Sequence, residues 1–117
     1  MNKVQITAMR QTVYDDLMEM YENPIAHACD VVIGQQWVSI DGERPEGLCP
    51  SAWESMRPFV ESLARGEGHF FAERSVAPDG AVVYSDGWMQ NPMSAMISCN
   101  DGFRPVSFYL ERLGENE

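Results

Sequence analysis

The chain has little positive charge and no long apolar run. Its 117 residues include 8 Lys and Arg against 18 Asp and Glu, which gives a formal net charge of −10. This excess repels nucleic-acid phosphates and anionic membrane surfaces, so we expect neither as a partner. No apolar run approaches the roughly 20 residues that cross a bilayer, and the N-terminus lacks the apolar core of a secretion signal. A cytoplasmic protein is therefore expected.

Cysteine is also scarce. The chain has three cysteines, Cys29, Cys49 and Cys99, and none belongs to a Cys-x-x-Cys pair. An odd number in a reducing compartment argues against a structural disulfide framework, so we expect three free thiols. The sequence also lacks a phosphate loop, a nucleophile elbow and a dinucleotide fingerprint, which removes support for the common cofactor-dependent enzyme classes.

The N-terminal part predicts a strand, a short helix and a second strand. Residues 4–13 and 34–40 have the alternation typical of strands. Between them, Thr12 and Asp15 resemble a capping box, and Asn23-Pro24 ends the helix. We expect an apolar stripe of this helix to pack on the sheet; it consists of Val13, Leu17 and Met20 or Tyr21.

A longer helix is predicted next, with two alternative starts. Cys49 can cap it with Pro50 in the first turn, or Ser51 can cap it with Glu54 completing Ser-x-x-Glu. Pro58 is expected to kink or divide the helix. Glycines 66 and 68 end it, and one apolar face is formed by Trp53, Met56, Val60 and Leu63.

Four further strands complete the prediction. Residues 70–74 and 81–88 flank a Pro-Asp-Gly turn as a hairpin, and strands 93–99 and 106–113 are joined by Asn-Asp-Gly-Phe-Arg-Pro. We expect one α+β domain over residues 1–117, with a frayed tail at 114–117. Its small antiparallel or mixed sheet is built largely from hairpins and covered by two helices.

Several short motifs occur in an order that resembles a known family. They are Ala-Cys at 28–29, Pro-Glu-Gly-Leu-Cys at 45–49, Ala-Trp at 52–53, Cys-Asn-Asp-Gly-Phe-Arg-Pro-Val at 99–106 and Leu-Glu-Arg at 110–112. The chain resembles small prokaryotic single-domain proteins of uncharacterised function with the pattern Gly-Pro-Cys, Glu-Gly-Phe-Cys before a tryptophan-bearing helix, and Cys-x-Asp-Gly-x-Arg-Pro-Val. It departs from that pattern at His27-Ala28 and at Ser98, where many relatives carry a second cysteine. The resemblance implies no reaction.

One hypothesis is a soft-metal site. His27 and Cys29 project to one face of an extended segment, and adding Cys49 and Cys99 gives one nitrogen and three sulfur ligands. Such ligands suit zinc or cuprous copper. The wide separation of the ligands favours the alternative, in which there is no cofactor and the cysteines are small core residues.

Other residues suggest chemistry without a metal. Cys49 near a helix N-terminus is a candidate nucleophile or redox centre, with His27 or His69 as its base. Arg104 is a candidate ligand-binding residue because a guanidinium holds carboxylates or phosphates by paired hydrogen bonds, although it can instead pair with an acidic neighbour. Cys99 and Trp53 join it as candidates. Each of the three tryptophans can either line a pocket or pack in the core; they are Trp37, Trp53 and Trp88.

The sequence thus leaves three functions open, in descending order of support. The first is a domain that binds a small molecule or a protein partner without catalysis. The second is a thiol-dependent enzyme or redox protein that uses Cys49, and the third is a soft-metal-binding protein. Paired sheet edges would also allow a homodimer. Apart from function, Asp101-Gly102 is expected to form the turn between the last two strands, with Gly102 supplying a positive φ and Asp101 bonding nearby amides.

Overall fold

The protein is described by a computed structural model over residues 1–24 and 29–115. Within those ranges no helix is long and apolar enough to cross a membrane. The predicted α+β class is confirmed: these ranges hold a four-stranded sheet, a two-stranded sheet and two helices. In chain order the elements are β1 (Asn2–Gln11), α1 (Asp15–Tyr21), β2 (Gln36–Ser39), α2 (Pro50–Ala64), β3 (Arg74–Val76), β4 (Val82–Tyr84), β5 (Ser94–Ser98) and β6 (Val106–Glu115).

The main sheet has the strand order β2-β1-β6-β5, and all of its pairs are antiparallel. Its centre is the pairing of the first strand with the last, from Asn2 opposite Glu115 to Gln11 opposite Val106. Residues 114 and 115 therefore belong to a central strand, and the frayed tail predicted from residue 114 onward is wrong for these two. Strand β5 reaches the sheet through the predicted hairpin with β6.

The core lies between one face of this sheet and α2. Alternate residues of the two central strands are buried there, so the alternation seen in the sequence is the inward face of the sheet; they are Val4, Ile6 and Ala8 from β1 and Val106, Phe108 and Leu110 from β6. The predicted apolar face of α2 covers them; it consists of Trp53, Met56, Val60 and Leu63. Each large side chain that is fully buried contributes about 1.5–3 kcal/mol of transfer free energy.

Helix α2 begins as the first alternative predicts. Cys49 is the N-cap, its carbonyl accepts the Trp53 N–H at 2.9 Å, and Pro50 occupies the first turn. The Ser51 capping box does not form the helix start. Pro58 lies inside a helix that runs unbroken to Ala64, so it does not divide the helix as one alternative expected. It lies on the exposed side, away from the core.

Helix α1 differs from its prediction in both its start and its packing. Tyr14 is the N-cap without a side-chain cap bond, so the Thr12 capping box is wrong. No residue of α1 is buried, so the expected packing of its apolar stripe on the sheet is wrong as well. The direction of the chain after β1 explains this difference. The Thr12 N–H donates to the Pro105 carbonyl at 3.0 Å, and the Tyr14 N–H donates to the Phe103 carbonyl at 2.9 Å. These bonds carry the segment past the end of the sheet rather than over its face.

The β3–β4 hairpin forms at the predicted turn but with shorter strands. The Gly80 amide donates to the Ala77 carbonyl at 2.8 Å to close the turn. Phe71 has a positive φ of 60°, so the backbone bends there and the first strand begins only at Arg74. Every residue of β3 and β4 is exposed. The radius of gyration is 17.0 Å, larger than the ~13 Å of an average compact chain of this length, which fits a hairpin that stands out from the domain.

Replacing Met56 by alanine tests the core between α2 and the sheet. Met56 is fully buried, so Met56→Ala removes packed atoms and leaves a cavity. We expect it to lower the free energy of unfolding by about 2–5 kcal/mol, measured by urea denaturation. Glu54→Ala is the matched control on the exposed side of the same helix and should change stability by less than about 0.5 kcal/mol. Equal effects of the two changes would contradict this core.

Candidate thiol-lined cavity

A cavity of about 400 Å³ opens at the end of the sheet where β6 begins and β5 ends. Three separate parts of the chain enclose it: the segment before β2, the start of α2 and the β5–β6 turn. All three cysteines are among the residues that line it. The lining comprises Cys29, Asp30, Val31, Gln35, Trp37, Gly47, Leu48, Cys49, Ser51, Ala52, Cys99, Asn100, Asp101, Arg104, Val106 and Phe108.

The three cysteines are free, as the sequence predicts, but their exposure differs. Cys29 and Cys49 are exposed and Cys99 is half-buried. Cys49 is the N-cap of α2, and the next lining residues, Ser51 and Ala52, belong to the first helical turn. The amides of a first turn have no acceptor within their own helix. The start of α2 therefore contributes the Cys49 thiol and backbone N–H groups to this wall of the cavity.

Cys99 is fixed by the β5–β6 turn. Its Sγ accepts the Val106 N–H at 3.3 Å, and its own N–H donates to the Val106 carbonyl at 3.0 Å. The next residue, Asn100, donates from Nδ2 to the Ser51 carbonyl at 3.2 Å. This bond joins the turn to the first turn of α2. The walls that carry Cys49 and Cys99 are thus held side by side.

The same turn has an internal acceptor. Asp101 Oδ1 accepts the N–H groups of Phe103 at 2.8 Å and Arg104 at 3.1 Å, which is the turn role predicted for this aspartate. Gly102 does not have a positive φ. The expectation that it supplies one is wrong, because the two bonds to Asp101 shape the turn without it.

Arg104 forms an ion pair with Glu22, the C-cap residue of α1. Its Nη1 and Nη2 donate to Glu22 Oε1 and Oε2 at 2.7 and 2.6 Å, and the two side chains are only 14% and 15% exposed. Asp101 Oδ2 lies 3.7 Å from Nε. Arg104 therefore lines the cavity with each terminal nitrogen donating one hydrogen bond to Glu22, whereas its buried Nε–H has no hydrogen-bond partner among the described residues.

The ion pair also changes the pKa values of both side chains. The hydrogen bonds from Arg104 hold the pKa of Glu22 below its ordinary value, and those bonds in turn raise the pKa of Arg104. The predicted candidates Cys29 and Arg104 line the same cavity. Glu22 was not foreseen, because it is 82 residues away from Arg104 and no local motif links them.

The three tryptophans have different positions. Trp53, predicted to bind ligand, is 8% exposed in the core and does not line the cavity. Trp37 does line it, and its ring lies 6.2 Å from that of Phe108. Trp88 is exposed beside Phe71 at the base of the β3–β4 hairpin. The apolar wall is thus formed by Trp37 and Phe108; the alternation of β6 indicates that Phe108 faces inward, but not which tryptophan meets it.

Of the two histidines proposed as bases or ligands, His69 belongs to the part of the chain that the structure describes, and it lies away from the cavity. His27 lies outside the described residues. His69 Nδ1 is 3.8 Å from Asp86, at the base of the hairpin, and His69 does not line the cavity. Over residues 1–24 and 29–115, no group of three or more His, Cys, Asp or Glu side chains is arranged to hold a metal ion. Sharing one cavity therefore does not make these cysteines a coordination cluster, and the zinc or copper hypothesis gains no support from them.

Comparison with known proteins adds no relative. No protein-family model matches the chain. No curated protein and no solved structure matches it either. The resemblance to a small prokaryotic family therefore stays a prediction from its motifs, and the function has to be inferred from the cavity itself.

Replacing Glu22 by glutamine tests the ion pair at the cavity wall. Because the folded pKa of Glu22 lies below the ordinary value of 4.5, its stabilising effect is present above that value and is lost as pH falls through the folded pKa. We expect Glu22→Gln to lower the free energy of unfolding at neutral pH. The difference from the wild-type protein should shrink at pH values below 4.5, measured by urea denaturation across a pH series.

Glu19→Gln is the matched control. Glu19 is an exposed carboxylate on α1, so its replacement removes the same charge without breaking the ion pair. It should leave stability nearly unchanged. A Glu22→Gln effect that is equally large on both sides of the ordinary glutamate pKa would show that the ion pair is not its cause.

Proposed function

We propose that this protein is a small-molecule-binding domain whose ligand occupies the thiol-lined cavity. One observation carries the proposal: Cys29, Cys49 and Cys99 come from three distant parts of the chain and line the same cavity. Its volume of about 400 Å³ falls in the range of ligand sites, which are largely apolar pockets with a few converging polar groups.

The lining favours a neutral ligand with a flat or apolar part. Trp37 and Phe108 offer an aromatic wall, and the sulfurs are polarisable groups that pack well against aromatic atoms. Anions are disfavoured for two reasons. The positive charge of Arg104 is already balanced by Glu22, and Asp30 and Asp101 add carboxylates to the lining.

The cavity lining also offers groups for the polar part of a ligand. Gln35 and Asn100 supply side-chain amides, which both donate and accept hydrogen bonds. Because Asn100 is also bonded to the Ser51 carbonyl, its position is set before a ligand arrives. A site positioned in advance loses less conformational entropy on binding.

Thiol chemistry at Cys49 is the second candidate. The observation that favours it is the exposed Cys49 thiol at the N-cap of α2, on a wall joined to that of Cys99. Helix N-termini are common positions for reactive thiols because the positive end of the helix dipole attracts a thiolate. In this version of the function, the Cys49 thiolate adds to a carbon–carbon double bond conjugated to a carbonyl in the bound molecule: the S–C bond forms as the π bond breaks, the carbon next to the carbonyl takes a proton from water, and no group leaves.

Fragment binding followed by NMR tests the first candidate. A library of small neutral aromatic fragments is titrated into ¹⁵N-labelled protein. We expect bound fragments to shift the Trp37 indole signal together with the amides of Cys49, Cys99 and Asn100. Ser51→Tyr places a ring at the cavity wall and should abolish these shifts.

Glu54→Tyr is the matched control, because Glu54 is exposed on the same helix and does not line the cavity. It should leave fragment binding unchanged. Fragments that bind equally well to the Ser51→Tyr protein would show that the ligand site lies elsewhere.

Alkylation by iodoacetamide tests the thiols separately. Two of the three cysteines are replaced by serine in turn, which leaves one thiol to follow by mass spectrometry. We expect Cys99 to react about five- to tenfold more slowly than Cys29 or Cys49, because it is half-buried and the reagent reaches its sulfur less easily.

The comparison of the two exposed thiols decides between the candidates. A Cys49 that reacts much faster than Cys29 supports thiol chemistry at the helix start. Equal rates for the two remove that candidate and leave non-covalent binding.

A further inference from the structure

Cys49 and Cys99 lie at one junction of the fold, where the start of α2 meets the end of β5. Ser98 of β5 pairs with Ser107 of β6, so the next residue, Cys99, is opposite Val106. The Cys99 N–H donates to the Val106 carbonyl at 3.0 Å, which continues the pairing by one step. Opposed residues share a face of a sheet, and Val106 is buried on the inward face. Cys99 therefore points to the face that α2 covers, and it packs against the core there.

The start of α2 covers the same end of that face. Cys49 is the N-cap of the helix, and both Leu48 before it and Ala52 after it are buried in the core cluster. A hydrogen bond of 3.2 Å from Asn100 Nδ2 to the Ser51 carbonyl ties the turn to the helix. Asn100 follows Cys99 directly, and Ser51 lies two residues after Cys49. This bond therefore holds the two cysteines close together on neighbouring walls of the cavity.

Cys29 reaches the cavity from another direction. It belongs to the segment that leads into β2, and β2 and β5 are the opposite edges of the four-stranded sheet. Cys99 directly follows β5. Of the two exposed thiols, Cys49 is therefore the one that we expect beside Cys99.

The two sulfurs of this pair differ in access. Cys49 is exposed, whereas Cys99 is half-buried and its Sγ accepts the Val106 N–H at 3.3 Å. A solute therefore meets Cys49 first, and Cys99 is held in a fixed position behind it. An accessible thiol with a second thiol next to it is the arrangement of redox-sensitive cysteine pairs, in which the first is oxidised and the second resolves it.

We propose that Cys49 and Cys99 form a reversible disulfide at the cavity when the protein meets hydrogen peroxide. The Cys49 thiolate attacks one oxygen of the peroxide: the S–O bond forms, the O–O bond breaks and hydroxide leaves, which gives a sulfenic acid. The Cys99 thiolate then attacks the Cys49 sulfur, so that the S–S bond forms, the S–O bond breaks and a second hydroxide leaves. The protons released by the two thiols convert both hydroxides to water. The two sulfurs are thus oxidised to one disulfide, and one peroxide is reduced to two waters.

The disulfide changes the cavity in a defined way. It brings two lining sulfurs to about 2.05 Å from each other, so the start of α2 and the β5–β6 turn close together. We therefore expect the oxidised protein to lose its ligand, a consequence that rests on the proposed binding function. A ligand in the cavity should in turn slow the oxidation, because binding and disulfide formation oppose each other.

Peptide mapping of the full chain tests the disulfide and needs no variant. The reduced protein is treated with a small excess of hydrogen peroxide, its remaining thiols are blocked with iodoacetamide, and the digest is analysed by mass spectrometry without reduction. We expect a peptide pair linked through Cys49 and Cys99 that dithiothreitol separates again, with Cys29 recovered in its alkylated form. A link between Cys29 and Cys49, a link between two chains or no link at all would overturn the proposal.

Serine variants test the order of the two steps. Cys99→Ser should stop at the sulfenic acid of Cys49, which dimedone traps, and Cys49→Ser should leave Cys99 reduced. Cys29→Ser is the matched control, because Cys29 lines the same cavity, and it should form the disulfide as fast as the wild-type protein. Far-UV circular dichroism confirms that the variants fold. A disulfide that needs Cys29 would contradict the assignment of the pair.

Fragment binding separates the disulfide from its consequence. The aromatic fragments that bind the reduced protein should bind the oxidised protein at least about tenfold more weakly. Fragments that bind both forms equally would show that the disulfide does not close the cavity. Fragments that bind neither form would contradict the proposed function, whereas the peptide map decides the disulfide independently.

Discussion

The antiparallel pairing of β1 with β6 is the interaction on which the rest of the structure depends. It joins the two ends of the chain over nearly the whole length of both strands, from Asn2 and Glu115 to Gln11 and Val106. This pairing creates the apolar surface that α2 covers, because the inward residues of both strands come to lie side by side. It also brings the end of β1 next to the start of β6, where the β5–β6 turn carries Cys99 and Arg104.

The cavity follows from that juxtaposition. Once β1 ends beside Val106, the next residues of the chain bond to the backbone of the β5–β6 turn, and α1 is carried past the end of the sheet. Glu22 at the C-terminal end of α1 then meets Arg104, which lines the same cavity as Cys29. The ion pair is mostly shielded from water, so leaving either partner alone would be costly. The Glu22–Arg104 pair stabilises the position of α1 beside the cavity. Apolar packing contributes little there, because α1 buries no residue.

The cavity and the β3–β4 hairpin lie in separate parts of the molecule, because no residue of β3 or β4 lines the cavity. Between α2 and the hairpin, a Cβ on Gly68 would lie 2.5 Å from the Pro92 carbonyl oxygen. Glycine is therefore needed where the chain passes from α2 toward the hairpin.

The sequence by itself determined the local elements, and only the tertiary structure decided how their side chains meet. The alternation at residues 4–13 and the helical spacing of Trp53, Met56, Val60 and Leu63 are local periodicities, so they correctly predicted a first strand and the apolar face of α2. The Asp101 turn was likewise predictable, because its hydrogen bonds span three residues at most. The packing of α1 was not, since its apolar stripe looks the same whether a sheet lies beneath it or not. The convergence of the three cysteines and the Glu22–Arg104 pair depend on the pairing of the two ends of the chain. No periodicity within a short window records a contact between residues so far apart, which is why tertiary structure alone decided the site.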